Sequence, residues 1–431
     1  MNSVWSETVE FPKFHSLNGN HKTHVLIVGG GMAGVLCAHF LEKNGVDYVL
    51  VEGKRIGSGI TKNTTAKITS QHGLIYHKLM KGVGLEQAKL YLAANEDALQ
   101  EYAKLCGEME CDFERKTSYV YSRDNERKLE QEVGVLYKMG CNPKIASTCE
   151  IPIETVGAVG FAHQAQFHPL KFMAQLAKGL NIYENTFVKE FVGNKAVTNH
   201  GEIKFQNVIF ATHFPIDNKH GLYFLKMYQH RSYVLALKGA ANYNGMYVDE
   251  AMNGMSFRNY KDMLLLGGGD HRTGKRGGNW KELRAFANHY YPYADEEYHW
   301  ATQDCMTLDE MPYIGQYSRS THNAFVATGF NKWGMTSSMV AAKLLCDKIL
   351  AKENPYEEIY NPSRSMLKPQ LLINGGEALL NWLTVTEKRC PHLGCALKWN
   401  PVEHSWDCPC HGSRFDESGK VLDNPANGDK R

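Results

Sequence analysis

Apolar residues first gather in Val25–Val28, a run closed by Gly29, the pattern of a strand buried on both faces of a parallel sheet. A largely apolar stretch follows through Leu41 and meets Asn44–Gly45, a pair suited to a helix C-terminus. Tyr48–Val51 is a second short apolar run, ending at Glu52. Strand, helix and strand make a βαβ opening. Ala88, Tyr91, Ala94, Ala98, Tyr102 and Leu105 then recur at helical spacing, so one face of that segment is buried. Between Ser118 and His271 strand patterns take over, at Ser118–Ser122, Val208–Thr212, Ser232–Leu237, Met246–Asp249 and Met263–Leu266. A last long helix is expected over 336–350, and Pro355, Pro362 and Pro369 then mark a polar linker.

Strands that follow an α/β opening imply a Rossmann-type nucleotide-binding domain with an antiparallel-sheet substrate domain inserted into it. The 431 residues are enough for a large core, and 43% hydrophobic with 22% charged residues is an ordinary globular balance. A net charge of +2 gives no reason to expect a nucleic-acid partner. Thr23–Leu41 lacks charged residues and nearly matches a membrane span in length, but four glycines in its middle favour a strand, a turn and a helix. Met1–His21 has no apolar core of a signal peptide, so a cytoplasmic protein without a membrane span is expected.

Gly29-Gly30-Gly31-Met32-Ala33-Gly34 fits G-x-G-x-x-G between the first strand and the first helix. Gly29 allows the tight turn, Gly31 lets backbone approach a pyrophosphate, and Gly34 lets helix and strand pack closely. Met32 and Ala33 open the helix, whose N-terminal N–H groups favour phosphate. Glu52, closing the second strand, can accept from ribose hydroxyls and disfavours a 2′-phosphate. FAD and NAD both fit this motif.

Eleven cysteines are many for a reducing compartment. Seven lie scattered from Cys37 to Cys346, as buried thiols do, whereas Cys390, Cys395, Cys408 and Cys410 crowd together. Cys390-Pro391-His392 is C-x-H, and after residues 393–407 Cys408-Pro409-Cys410-His411 is C-x-x-H. Two loops therefore offer one thiolate and one imidazole each. That set suits a [2Fe–2S] cluster with mixed Cys₂ and His₂ irons, and it also suits zinc.

Two resemblances narrow these choices. VLIVGGGMAGVLCA, VLVEGKRIGSG, ITKNTTAKITSQHG, VIFATH, DEMPYIG and VATGFNKWGMT resemble FAD-dependent oxidoreductases of the D-amino-acid oxidase and glycine/sarcosine oxidase superfamily. The resemblance implies FAD, with Thr64, Thr65 and Ala66 by the pyrophosphate and flavin, Val188 by the adenine, and Trp333, Gly334, Met335 and Thr336 near the isoalloxazine. RCPHLGCALKWN and SWDCPCHGSRFDESGKV closely resemble the Rieske proteins of cytochrome bc and b6f complexes. That likeness implies Cys390, His392, Cys408 and His411 as [2Fe–2S] ligands and a Cys395–Cys410 disulfide clamping the loops. It also implies a hydroxyl donor to a cluster sulfur at Ser413, while Phe415 stands where high-potential relatives place a tyrosine. The Rieske segment is short, so a reduced domain leaning on the flavin part is expected.

The expected layout is an oxidoreductase over 22–350, with nucleotide-binding parts 22–85, 155–215 and 305–350 and substrate-domain parts 86–154 and 216–304, then a linker over 351–384 and the Rieske segment over 385–431. The expected function is a dehydrogenase of an amine or amino-acid-like small molecule that exchanges electrons with the cluster and an external one-electron carrier. A redox carrier or sensor without a substrate, or an oxidase with a structural cluster, is the alternative, and either direction of electron flow fits the ligands. Catalytic candidates are Arg258 in MSFRNY, for a substrate carboxylate, His72 after the TTAKITSQ segment, and Lys332 over the flavin.

Overall fold

The βαβ opening is realised as the strand His21–Val28, the helix Met32–Lys43 and the strand Tyr48–Val51. In this computed structural model, which describes residues 2–217 and 220–429, these strands pair in parallel near the middle of an eight-stranded sheet. Its path runs Tyr313–Ser318, Thr321–Thr328, Glu202–Phe210, His21–Val28, Tyr48–Val51, Ile182–Tyr183, with a hairpin of Val188–Phe191 and Lys195–Thr198 beside Glu202–Phe210. The helix Gly334–Ile349 is buried over most of its length, packing on Met32–Lys43 and on Leu85–Gly107.

A nine-stranded second sheet is built on three long strands, Asp295–Thr307, Met227–Lys238 and Met263–Arg272, paired antiparallel. It is mixed, because Gly245–Asp249 runs parallel to Glu114–Ser122. The strand Gly157–Gln166, read above with the nucleotide-binding part, pairs with Glu114–Ser122 in this second sheet, and so does Lys67–Ile68 with Gly157–Gln166. Helices occupy part of the stretch read as linker, at Glu357–Tyr360 and Pro369–Leu383.

The C-terminal segment forms a four-stranded antiparallel sheet of Lys398–Asn400, Ser405–Asp407, Arg414–Phe415 and Val421–Asp423. Its core is Cys390, Cys395, Leu397, Cys408, Cys410, Phe415 and Ala426. Seven side chains, four of them cysteines, bury little apolar area, so the segment needs support beyond its own core.

Candidate functional site

A single cavity of about 1300 Å³ connects the two sheets and the C-terminal segment. It exceeds the ~300–1,000 Å³ of ordinary small-molecule sites, which leaves room for a dinucleotide and a substrate together. Gly29, Gly31, Met32 and Ala33 line one end. Gly29 has φ 110°, and a Cβ there would meet the Ala211 carbonyl at 2.5 Å. A Cβ on Gly34 would fall 1.9 Å from the Gly29 carbonyl, so the helix can approach the strand only over glycine. Gly31 would meet nothing nearer than Thr61 Oγ1 at 3.6 Å, leaving its backbone open to the cavity. Glu52 also lines it, and its carboxylate accepts from the Gly30 and Lys54 N–H groups at 2.8 Å each. It thus braces the glycine turn as well as facing the cavity.

Thr64, Thr65, Val188, Trp333, Gly334 and Met335 line the same space, whereas Ala66 and Thr336 stand behind the wall. Ala66 holds φ 55°, a left-handed kink. Arg258 explains how that kink is held. Buried at 1% exposure, its guanidinium donates to the carbonyls of Thr65 (2.5 Å), Ala66 (2.8 Å) and Phe167 (3.2 Å). Those donors are spent and the side chain does not line the cavity, so Arg258 is not a substrate anchor. It shapes the loop.

His72 is a positioning group too. It meets Tyr91 Oη (2.7 Å), the Thr69 carbonyl (2.8 Å) and Thr336 Oγ1 (3.0 Å), and its ring stacks on Trp333 at 5.0 Å. Burial pushes its pKa down to about 3, so it stays neutral and fixes the tryptophan. Lys332, at φ 72°, turns its ammonium onto Asp270 at 2.5 Å in the cavity wall.

The sequence reading missed charged groups in the same wall. Asp304 stands with Asp270 and Lys332, and burial, opposed by Lys332 and aided by Asp270, raises its carboxyl to about 6. Lys67 also lines the cavity and meets Thr65 Oγ1 at 3.3 Å. Burial, helped by Arg258 nearby, lowers its pKa to about 7, and no carboxylate pairs with it among the described residues. The wall therefore holds a group that can take an anion and a group that can take a cation. No periodicity marks either group, because each is defined by partners far away in the chain.

At the C-terminal segment the four expected ligands come together. The Cys390 and Cys408 thiols are buried and in hydrogen-bond contact, and the rings of His392 and His411 lie 4.9 Å apart. Both ring nitrogens of His392 and Nδ1 of His411 are buried without a hydrogen-bond partner. Buried imidazole nitrogens without partners, beside two thiols, fit a metal centre. Cys395 and Cys410 are joined in a disulfide. Three sulfurs, of Cys395, Cys408 and Cys410, approach one another closely, but two of them are committed to that bond and offer no thiolate. Ser413 lies in hydrogen-bond contact with Cys390, and Phe415 is fully buried.

The larger part grips the second loop by its backbone. Gln229 Nε2 donates to the carbonyls of His411 and Asn424 at 3.0 Å, and Gln303 Nε2 to that of Gly412 at 2.8 Å. Arg272 donates to the carbonyls of Pro409 (3.1 Å) and Cys410 (3.3 Å). Glu403, 4% exposed, takes Arg231, Arg414 and Tyr233. The segment also reaches the cavity, which Glu403, Arg414, Asp423, Asn424 and Ala426 help to line. The loop after Phe210 joins the two: Thr212 and His213 face the cavity, and the Phe214 ring packs 6.3 Å from His392.

Both parts of the chain also match known families. Residues 24–348 match the family described as FAD dependent oxidoreductase (DAO), and residues 366–429 match the Rieske [2Fe-2S] domain. The YhfW protein of Bacillus subtilis, named for a Rieske 2Fe-2S centre, is 35% identical over 98% of this chain and 96% of its own. The cytochrome b6-f complex iron-sulfur subunit 2 of Trichormus variabilis is 58% identical over 38 residues, 9% of this chain and 21% of its own. Among solved structures, glycine oxidase from Geobacillus kaustophilus superposes with TM-score 0.67 at 19% identity, covering 80% of this chain and all of that one. L-proline dehydrogenase from P. horikoshii gives 0.66 at 20% identity over 80% and 98% of the two chains. At such identities the likeness shows the fold.

Proposed function

This chain belongs to the FAD dependent oxidoreductase (DAO) family and carries a Rieske [2Fe-2S] domain, and from that premise we propose that it dehydrogenates an amine or amino-acid-like substrate whose electrons leave through the Rieske segment to an external one-electron carrier. When bound, FAD takes two electrons as a hydride equivalent and the cluster carries one at a time. One observation carries the reading: a single cavity is walled at once by the glycine turn, the Trp333 segment and the Rieske segment.

Gly29, Gly31, Met32, Ala33 and Gly34 would hold the pyrophosphate at the helix N-terminus, with Glu52 toward the ribose and Val188 toward the adenine. Thr64, Thr65 and the Trp333–Met335 backbone would border the flavin, with Ala66 and Thr336 supporting them from behind. Cys390 and Cys408 would bind one iron, and His392 and His411 the other. Lys67 is the anchor for a substrate carboxylate in place of Arg258, and ionised Asp304 with Asp270 faces the ammonium. Lys332 keeps two adjacent carboxylates from repelling each other.

The test compares wild type with Cys408→Ser. Substrate should still bleach the flavin of the variant at the wild-type rate, while turnover with ferricenium as one-electron acceptor falls at least tenfold. Unchanged ferricenium turnover would leave the cluster a structural staple and end the proposal.

A further inference from the structure

The loop after the strand Glu202–Phe210 is held from both parts of the chain. Its His213 sits at φ 67°, in the left-handed region that strains a side chain. Three consecutive carbonyls keep it there. Asn424 Nδ2 donates to those of Thr212 (2.6 Å) and Phe214 (2.7 Å), which uses both hydrogens of its amide, and Thr328 Oγ1 donates to that of His213. Two of the three bonds thus come from the Rieske segment, and Asn427 Nδ2 adds a fourth to the Ile216 carbonyl at 2.8 Å. The turn they hold abuts the glycine motif. A Cβ on Gly29 would fall 2.5 Å from the Ala211 carbonyl oxygen and 3.1 Å from the Thr212 nitrogen.

Asn424 is tied as firmly to the ligand loops. Gln229 Nε2 bonds the His411 and Asn424 carbonyls together, at 3.0 Å each. Two residues on, the Ala426 N–H donates to Ser413 Oγ at 3.1 Å, and Ser413 also contacts Cys390. Asn424 and Ala426 line the cavity along with Thr212 and Gly29. A short bonded path therefore runs from two cluster ligands through residues 424–426 to the glycine turn. The other grips on the ligand loop, from Arg272 and Gln303, end in the second sheet, whereas Asn424 reaches a loop of the first.

We propose that Asn424 is a positioning residue of the FAD site and couples it to the cluster site, so that each cofactor raises the affinity of the chain for the other. A formed cluster joins the two ligand loops and fixes residues 424–426, which hold the 212–214 turn against the glycine motif. Without the cluster, the Cys395–Cys410 disulfide is the covalent link left between those loops. Whichever cofactor binds first orders the shared segment, and the second does not have to order it again. Coupling between sites of this kind changes affinity by roughly 5- to 150-fold and acts equally in both directions. It rests on the pyrophosphate lying at the glycine turn, as proposed above, and needs no electron to pass between the centres.

The experiment titrates FAD into flavin-depleted full-length protein and reads the Kd from flavin fluorescence. Wild type with its cluster should bind about tenfold more tightly than Cys408→Ser, which cannot complete the ligand set. Asn424→Leu, similar in size but without the amide, should keep the visible spectrum of the cluster and bind FAD about tenfold more weakly. Adding Cys408→Ser to it should cost no more than about twofold further, because the bridge is already gone. Equal affinities in wild type and Cys408→Ser overturn the proposal, and so does a full tenfold loss that persists in the Asn424→Leu background. The unaltered chain gives a check that no folding defect can mimic: saturating FAD should slow the loss of the cluster spectrum to an iron chelator several-fold, and no protection overturns the coupling. Gly31→Asp sets a carboxylate where the pyrophosphate would lie and tests that placement by itself. It should abolish FAD binding with the cluster spectrum kept, whereas normal binding would refute the placement, and the coupling with it.

Discussion

Replacing Glu403 by glutamine keeps the shape of the junction and removes the charge on which it is organised. The carboxylate accepts from Arg231 Nε at 3.1 Å and from Arg231 Nη2, from Arg414 Nη2 at 2.9 Å and from Tyr233 Oη at 2.9 Å. Arg414 retains Asp407 and Asp423, but Arg231, 4% exposed, loses its carboxylate partner. The two guanidiniums, against the cost of burial, hold the Glu403 carboxyl at about 2 in place of 4.5. At ~1.4 kcal/mol per tenfold change, that drop corresponds to about 3 kcal/mol, the low end of the 3–5 kcal/mol usual for breaking a buried pair. A depressed carboxyl contributes stability that is present above its unfolded value and lost as pH falls through its folded one. The wild-type advantage should therefore be complete at pH 7 and fade from about pH 4.5 to about pH 2. Limited proteolysis across a urea series, read at the C-terminal segment, measures it. A loss under about 1 kcal/mol at pH 7, or one that persists undiminished in acid, would refute the reasoning.

Other substitutions test other parts of the site. Lys67→Met should raise KM about 10- to 100-fold for substrates with a carboxylate and leave a simple amine unaffected, as loss of a charged hydrogen bond predicts; equal effects on both would argue against an anion anchor. Because the Asp304 carboxyl titrates at about 6, kcat/KM for an amine should fall as pH drops through that value, and Asp304→Asn should remove this limb of the profile. Gly412 has φ 85° and a Cβ there would fall 2.5 Å from Gln229 Cβ, so Gly412→Ala should loosen the second loop and speed cluster loss on heating, followed by visible absorbance. Phe415→Tyr should raise the cluster potential by adding a donor, and a redox titration showing no upward shift counts against that.

Much of this was legible in the chain itself because the signals are local. The VLIV strand, the glycine turn and Glu52 lie within one βαβ unit, and each ligand loop carries its own cysteine and histidine. What could not be read depends on distant pairing. Arg258 alternates like a residue on a sheet face, but the sequence does not say that this face meets Ala66 and Phe167. Gly157–Gln166 looks the same in either sheet, and only its partner Glu114–Ser122 decides. Lys67, Asp304 and the Arg231–Glu403 pair are isolated charges until folding brings them together. Prolines and polar residues suggested a linker over 351–384, yet Pro369 stands at the first turn of its helix, where a missing N–H costs nothing.

The most direct measurement is an anaerobic titration of the holoprotein with amines and amino acids, following flavin absorbance and low-temperature EPR in the same samples. A substrate that bleaches the flavin should bring up the reduced-cluster signal with it, up to one spin per chain at full reduction. Complete bleaching beside a silent cluster would contradict the account.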